Sequence, residues 1–127
     1  MMIALEPIGT VRSLLGERGR VPEDAEATLE ISSKFRDGLD GLEDLDRIDV
    51  IWYGHLSRKA LRVIPMGRVE FTGVFATRSP DRPNPILITT VEVLSVDIDK
   101  GEVKVRGLDA LDDSPILDIK QTGVLGS

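Results

Sequence analysis

Residues 78–85 hold two arginines and three prolines, and this segment is the part of the sequence best suited to binding a ligand. Each proline fixes its own φ and biases the preceding residue towards extended backbone, so the loop is stiff before any ligand arrives. Stiffness reduces the conformational entropy that is lost on binding. Arg78 and Arg82 are therefore two firmly mounted guanidinium groups, suited to carboxylates, phosphates or the flat face of a purine. We call residues 76–85 the Arg-Pro loop.

A purely structural interpretation of the same loop is also open. In that interpretation the loop is a proline-braced crossover whose arginines pair with neighbouring acids such as Asp81 and Asp113. Nothing in the spacing of the residues decides between a ligand-binding loop and a braced crossover.

Charge is unevenly distributed along the chain. Residues 58–82 hold six basic and two acidic residues, whereas residues 23–49 hold ten acids and three bases, in a chain of net charge −6. The overall charge argues against coating nucleic acid by bulk electrostatics, which needs concentrated Lys and Arg. The local excess is either an anion-binding patch or a chance split on a polar face.

Several classes of function are excluded by composition. The 127 residues include no cysteine and one histidine, His55. A disulfide framework, a thiolate nucleophile and a Cys-ligated metal are excluded, and we expect no metal site. No apolar run approaches the roughly 18 residues of a membrane span, and the N-terminus has no signal-peptide pattern. We therefore expect a soluble cytoplasmic protein with no membrane partner, forming one domain over residues 1–120 with a tail at 121–127.

Short apolar and β-branched runs, broken by Gly, Pro and Asp, predict an all-β protein. Polar and apolar residues alternate over residues 102–106, which places Val103 and Val105 inward. A turn that ends at Gly101 predicts a hairpin between the last two candidate strands. Residues 38–46 predict one short helix, weakened by Gly41. The expected fold is a small antiparallel β-barrel with that helix. The candidate strands are residues 3–12, 27–33, 48–55, 69–77, 86–96 and 102–108.

No G-x-G-x-x-G motif and no P-loop is present, so an adenosyl cofactor would have to be held by another device. Residues 75–86, FATRSPDRPNPI, resemble the signature of the TsaA-like (TrmO) family of small tRNA methyltransferases. Two further stretches are similar to the family in the right order: PIGTVRS at 7–13 and DALDDSPILDIK at 109–120. The segments at 42–48 and 52–56 fit between them, so the resemblance covers nearly the whole chain.

The resemblance implies a small β-barrel that forms a homodimer and binds S-adenosylmethionine near the subunit interface. It implies methyl transfer to N6 of threonylcarbamoyladenosine beside the anticodon of tRNA. Asp112 is the candidate proton acceptor, and the substrate-binding residues would be Arg82 and Asn84. The cofactor contacts carried over by position are Arg78, Ile88, His55, Leu56, Leu111, Asp112, Asp113 and Ser114.

Some of these positions also have plain structural interpretations. A lone histidine at a strand end, as His55 is predicted to be, can serve as a satisfied hydrogen-bonding group. The turn around Asp112 can be an Asp-rich turn before a final strand.

Three stretches depart from the family pattern, and one of them is KQT at 120–122, where the family is expected to have Lys-Pro-Tyr. The other two bear on the ligand site. Residues 21–26, VPEDAE, stand where family members carry a Pro-Arg-Gln-Pro-Gly-like element, so acidic Glu23 replaces an arginine. Leu87 stands where the family has a glycine that allows close backbone approach, so we expect a narrower pocket. Three hypotheses follow: a tRNA methyltransferase, a non-catalytic module that binds or senses S-adenosylmethionine, and a barrel that associates with proteins through residues 23–49.

Overall fold

A closed barrel of six antiparallel strands forms the centre of the computed structural model, which describes residues 1–14 and 24–123. The order around the barrel is β1-β2-β7-β6-β3-β8, and β4 pairs with β5 in a separate hairpin. The predicted all-β barrel is therefore confirmed. In chain order the strands are β1 (Gly9–Arg12), β2 (Glu26–Ile31), β3 (Arg47–Tyr53), β4 (Arg62–Val63), β5 (Thr72–Gly73), β6 (Ile86–Asp97), β7 (Glu102–Arg106) and β8 (Pro115–Gln121).

The core lies inside the barrel because alternate side chains of a strand point to opposite faces. Every barrel strand contributes fully buried apolar residues. Because the barrel is closed, each of the six strands has a partner on both sides. The predicted inward alternation of Val103 and Val105 is confirmed, since both are 0% exposed. The main buried side chains are Val11, Leu29, Ile48, Val50, Val91, Val103, Val105 and Ile116.

The predicted hairpin between the candidate strands at 86–96 and 102–108 is confirmed, since β6 pairs with β7 in antiparallel orientation. Gly101 ends its turn with φ +68° and donates its N–H to the Ile98 carbonyl at 3.1 Å. A Cβ atom on Gly101 would stand 2.5 Å from the Ile31 carbonyl oxygen. Both the left-handed backbone and the close packing against β2 therefore require glycine at this position.

Helical structure is confined to 3₁₀ segments in the described residues. Leu42–Asp44 lies within the predicted helix at 38–46, whereas Ser33–Leu39 overlaps only its first two residues. Gly41 lies between the two segments with φ +90°. Leucines at 39, 42 and 45 recur every third residue, which is the period of a 3₁₀ helix rather than an α-helix. Leu39 and Leu42 are buried against the barrel.

Three strand predictions differ from the structure. Residues 3–12 are strand only from Gly9 onwards. Only Thr72–Gly73 is strand within residues 69–77, and Val74–Ala76 turns in a third 3₁₀ segment. Pro115–Gln121 was not among the candidate strands, yet it closes the barrel between β1 and β3. Its last residue is the first of the predicted tail, and residues 124–127 lie outside the described part. No helix in the described residues is long and apolar enough to cross a membrane.

Unequal strand lengths leave one part of the barrel wall open. β6 has twelve residues and β7 has five, and β7 pairs with β6 only from Glu92 onwards. The N-terminal half of β6, residues 86–91, pairs with β3 along one edge. Loops rather than a strand border its other edge.

Candidate functional site

A cleft of about 720 Å³ lies beside the N-terminal half of β6. This volume is within the roughly 300–1,000 Å³ that is usual for small-molecule sites. Three loops line it: residues 54–57 after β3, residues 77–82 of the Arg-Pro loop, and the segment between β7 and β8 that holds Asp109, Leu111 and Ser114. We refer to this space as the cleft.

Arg82 braces the Arg-Pro loop from within. Its Nη1 donates to the carbonyl oxygens of Thr77 at 3.2 Å and Ser79 at 2.9 Å. Two further bonds tighten the turn: the Ser79 amide donates to Thr77 Oγ1, and the Asp81 amide donates to Ser79 Oγ, both at 3.2 Å. Arg82 lines the cleft as the substrate prediction requires, but its Nη1 is engaged by the loop itself.

Arg78 presents its guanidinium to the cleft with fewer constraints. The side chain is exposed, and Nη2 donates to the Ile88 carbonyl oxygen at 3.3 Å. A guanidinium has about five N–H donors, so most of them are left for a ligand. The acids suggested as partners for the arginines have others: Asp81 lies 3.8 Å from Arg58 and Asp113 pairs with Arg12. The brace around Arg82 therefore uses backbone carbonyls.

Gly54 ties the cleft floor to the barrel. Its amide donates to the Pro85 carbonyl at 2.8 Å, which joins the end of the Arg-Pro loop to the end of β3. A Cβ atom on Gly54 would stand 2.5 Å from Ser57 Oγ and 3.3 Å from Leu87 Cδ1. Glycine at this position lets His55 and the half-exposed Leu56 reach the cleft wall.

His55 and Ser114 connect two walls of the cleft. Ser114 is 1% exposed, and its Oγ donates to the Leu111 carbonyl at 2.6 Å. The Oγ atom also lies 3.5 Å from His55 Nδ1. A hydroxyl has one proton, so Ser114 can only accept from a protonated Nδ1. His55 therefore has the geometry of a structural hydrogen-bonding group that also borders the ligand space.

Three of the predicted site residues lie outside the cleft lining. Asp112 Oδ1 accepts the Ser13 amide at 3.0 Å, and Asp113 pairs with Arg12 while holding φ +68°. These contacts anchor the turn to β1. Asn84 is exposed, and its carbonyl accepts the Ile86 amide at 2.7 Å in the turn before β6.

Arg12 also donates to Glu30. These bonds, to Glu30 first and to Asp113 second, raise the pKa of the Arg12 guanidinium, which keeps its charge at every physiological pH.

The sequence did not single out a hydrogen-bonded chain on the cleft floor. Trp52 Nε1 donates to Thr89 Oγ1 at 3.1 Å, and Thr89 Oγ1 donates to Asp109 Oδ1 at 2.7 Å. All three residues line the cleft. Asp109 begins the segment 109–120, but its contact with Thr89 crosses 20 residues and has no sequence signal. Within residues 1–14 and 24–123, no cluster of three or more His, Asp or Glu side chains could hold a metal ion.

The two departures that bear on the ligand site differ in what can be described. Glu23 lies outside the described residues. Leu87 lines the cleft, pairs in register with Trp52, and packs partly against the core. Its Cδ1 faces Gly54, so a bulky side chain occupies space beside the loop after β3.

Comparison with known proteins identifies the family of the chain. The sequence model of the tRNA-methyltransferase O N-terminal domain matches residues 14–122. An S-adenosyl-L-methionine-binding protein of Archaeoglobus fulgidus is 45% identical over 92% of this chain and 87% of its own length. A probable S-adenosyl-L-methionine-binding protein of Methanothermobacter thermautotrophicus is 42% identical over 94% of this chain and 90% of its own.

Two solved structures have the same fold. A crystal structure of TrmO superposes on the whole chain with a TM-score of 0.80 at 31% identity, and this chain spans 62% of its length. TrmO from Pseudomonas aeruginosa gives a TM-score of 0.77 at 29% identity over the whole chain, which spans 61% of that protein. The chain therefore belongs to the family of the tRNA-methyltransferase O N-terminal domain.

Proposed function

We propose that the chain binds S-adenosylmethionine in the cleft and transfers a methyl group to N6 of threonylcarbamoyladenosine beside the anticodon of tRNA. The observation that carries the proposal is that six of the eight positions predicted to contact the cofactor line one cleft. They are His55, Leu56, Arg78, Ile88, Leu111 and Ser114. The names of the archaeal relatives support cofactor binding, and the family name supports methyl transfer to tRNA in the cytoplasm.

The residues of the cleft fit the chemistry of the cofactor. Apolar side chains stand exposed along it, with Leu56 51%, Ile86 46% and Ile88 46% exposed, and they offer flat contact to an adenine. Arg78 offers a planar fork to a carboxylate. The apolar area and the guanidinium lie within the same cleft, as a ligand with an aromatic and an anionic end requires.

Bound S-adenosylmethionine would supply an electrophilic methyl group on a sulfonium. The chain's own contribution is position, because holding two reactants in line can replace much of the entropic cost of their meeting. The braced Arg-Pro loop and the segment 109–114 would fix the orientation, and the apolar walls would exclude water. Asp112 holds the Ser13 amide outside the cleft lining, so we assign it to anchoring the turn.

Basic residues close in sequence to two residues of the cleft lining are suited to RNA phosphates. Arg58, Lys59, Arg62 and Arg68 are exposed, and they follow or surround the cleft-lining residues Ser57 and Met66. Each phosphate contact made by such a cation releases counterions and steepens the salt dependence of binding. We expect tRNA affinity to fall when sodium chloride is raised, and to fall less steeply once two of these residues are replaced.

A homodimer is part of the proposal because the β4–β5 region is apolar and uncovered. Leu61, Met66, Val69, Phe71 and Phe75 are each between 63% and 91% exposed, a concentration that monomers rarely leave in water. Met66 also lines the cleft, so a second copy seated on this region would border the ligand. Light scattering coupled to size-exclusion chromatography tests the dimer, and a monomeric mass at micromolar concentration would contradict it.

The decisive experiment combines calorimetry with a transfer assay. Purified protein is titrated with S-adenosylmethionine, then incubated with labelled cofactor and threonylcarbamoylated tRNA. We expect binding and transfer in the wild type and the loss of both in Arg78→Ala. Arg47→Ala, an exposed residue at the start of β3 outside the cleft, is the matched control. Binding without transfer to this tRNA would refute the methyltransferase half of the proposal.

The second candidate function is a non-catalytic module that binds or senses S-adenosylmethionine. Leu87 favours it, because its side chain occupies cleft wall where family members have a glycine. Restoring the glycine with Leu87→Gly separates the two functions. If transfer appears only in the variant, the natural chain is a binding module, and if the wild type already transfers, that candidate is excluded.

A further inference from the structure

Asp109 is a carboxylate held in a fixed position inside the cleft. The buried indole of Trp52 donates its N–H to Thr89 Oγ1, which occupies a lone pair of that hydroxyl. The single hydroxyl proton of Thr89 is donated to Asp109 Oδ1 at 2.7 Å. Each link has one possible direction, because an indole N–H only donates and an ionised carboxylate only accepts. The two hydrogen bonds therefore orient the Asp109 carboxylate from the buried Trp52 outwards.

The bond from Thr89 leaves Asp109 with acceptor sites for a ligand. An ionised carboxylate has about four acceptor sites, and the Thr89 bond uses one of them. Asp109 is exposed to the cleft rather than packed away. Asp112 and Asp113, its neighbours in sequence, instead accept from Ser13 and pair with Arg12. Among the three acids of residues 109–113, Asp109 is the one that lines the cleft.

Arg78 and Asp109 are hydrogen-bonded to β6 at consecutive residues. Arg78 bonds to the carbonyl of Ile88, and Asp109 bonds to the side chain of Thr89, which is the following residue of β6. Consecutive Cα atoms are about 3.8 Å apart, so the two opposite charges approach the same short length of strand. An α-amino acid group has its carboxylate and ammonium on one carbon atom and presents the same closely spaced pair of charges.

We propose that Asp109 binds the α-ammonium of the cofactor's amino acid end while Arg78 binds its carboxylate. Trp52 and Thr89 act as positioning residues that fix the Asp109 carboxylate. The inference rests on the proposed binding of S-adenosylmethionine and adds what distinguishes the intact amino acid end. When an analogue without the amine binds, the Asp109 carboxylate has no ammonium partner in the cleft. This cost would favour ligands with the intact amino acid end over the analogue.

The alternative donors to the Asp109 carboxylate are the ribose hydroxyls of the cofactor. They are neutral donors, and they give no reason for the Arg78 guanidinium to be bonded to the adjoining residue of β6. Ammonium binding and ribose binding also differ in which analogue is sensitive to Asp109. The experiment therefore uses two probes that differ only in the amine: S-adenosylhomocysteine and its desamino analogue, both of which retain the ribose.

Calorimetry is performed with wild type and Asp109→Asn. The amide oxygen of Asn still accepts from Thr89, so the variant removes charge while keeping shape. We expect the Kd for S-adenosylhomocysteine to rise about tenfold or more, as for loss of a charged hydrogen bond, and the Kd for the desamino analogue to change by less than about twofold. Asp118→Asn, an exposed acid on β8 outside the cleft, should alter neither value.

Variants of Thr89 test the positioning role. Thr89→Val removes the link to Asp109 and should weaken S-adenosylhomocysteine binding several-fold, whereas Thr89→Ser keeps the hydroxyl and should restore it. Circular dichroism verifies that each variant is folded.

Equal affinity of wild type and Asp109→Asn for S-adenosylhomocysteine would overturn the inference and leave cofactor binding intact. Equal losses for both probes would also overturn it, because Asp109 would then act on the ribose. Failure of the wild type to bind S-adenosylmethionine or S-adenosylhomocysteine would instead refute the proposed function.

Discussion

Replacing Arg82 with methionine should loosen the Arg-Pro loop without disturbing the barrel. The variant keeps an apolar stem but removes the Nη1 donor that holds the Thr77 and Ser79 carbonyls at 3.2 and 2.9 Å. Both bonds are partly buried, and a net contribution of about 1 kcal/mol each gives about 2 kcal/mol for the closed loop. Since 1.4 kcal/mol is a factor of ten, the population of open loop should rise roughly thirtyfold.

Amide hydrogen exchange measures this opening directly. The amides of Ser79 and Asp81 are bonded within the loop at 3.2 Å, so in Arg82→Met they should exchange roughly thirtyfold faster. The amides of Val50 and Val103, buried in the barrel, serve as internal references and should not change. Arg78→Met is the matched control, because its single bond of 3.3 Å does not close the loop. Unchanged exchange at Ser79 and Asp81 would mean that the prolines alone hold the loop.

Three other variants test separate parts of the structure. Gly54→Ala places a methyl group 2.5 Å from Ser57 Oγ, which can rotate away, and 3.3 Å from Leu87 Cδ1, which is packed. Overpacking at the lower end of about 1–3 kcal/mol should lower the Tm by a few degrees in scanning fluorimetry, and an unchanged Tm would contradict the packing. Asp113→Val puts a β-branched residue at φ +68°, which should cost about 1–2 kcal/mol in urea unfolding, while Asp113→Asn tolerates this backbone and should cost less. Phe71→Ser, which removes a side chain that is 63% exposed, should raise the dimer dissociation constant in analytical ultracentrifugation without lowering the Tm of the monomer, and an unaltered dimer would place the interface elsewhere.

The sequence predicted those parts of the fold where one side of a segment packs against the core. β7 was identified from its alternation because Val103 and Val105 face the barrel interior. Residues 69–77 are as apolar as a core strand, yet most of them stand exposed in and around the β4–β5 hairpin. Hydrophobicity alone does not distinguish a side chain buried within the barrel from one that is left for another surface.

The sequence predicted the part of the site that is local in the chain and missed the part that depends on contacts between distant segments. The Arg-Pro loop was found because its stiffness and charge are local properties of eight residues. The Trp52 to Thr89 to Asp109 chain joins three distant segments, so only the folded barrel brings them together. The resemblance carried over the whole turn 111–114 as one unit, whereas the structure separates Leu111 and Ser114, which line the cleft, from the two acids between them.

That separation follows from how the turn is attached to the barrel. β1 is short and pairs with β8 at two positions only, and two further backbone bonds join Val11 to Ser114 and Asp113 in the turn before β8. Asp112 and Asp113 add side-chain contacts to Ser13 and Arg12, and neither of these acids lines the cleft. Asp109 lies on the other side of this anchored turn and is oriented from β6 instead. Acids at the two ends of one motif are thus held by different strands, and the acid that lines the cleft is the one bonded to the strand whose edge is open.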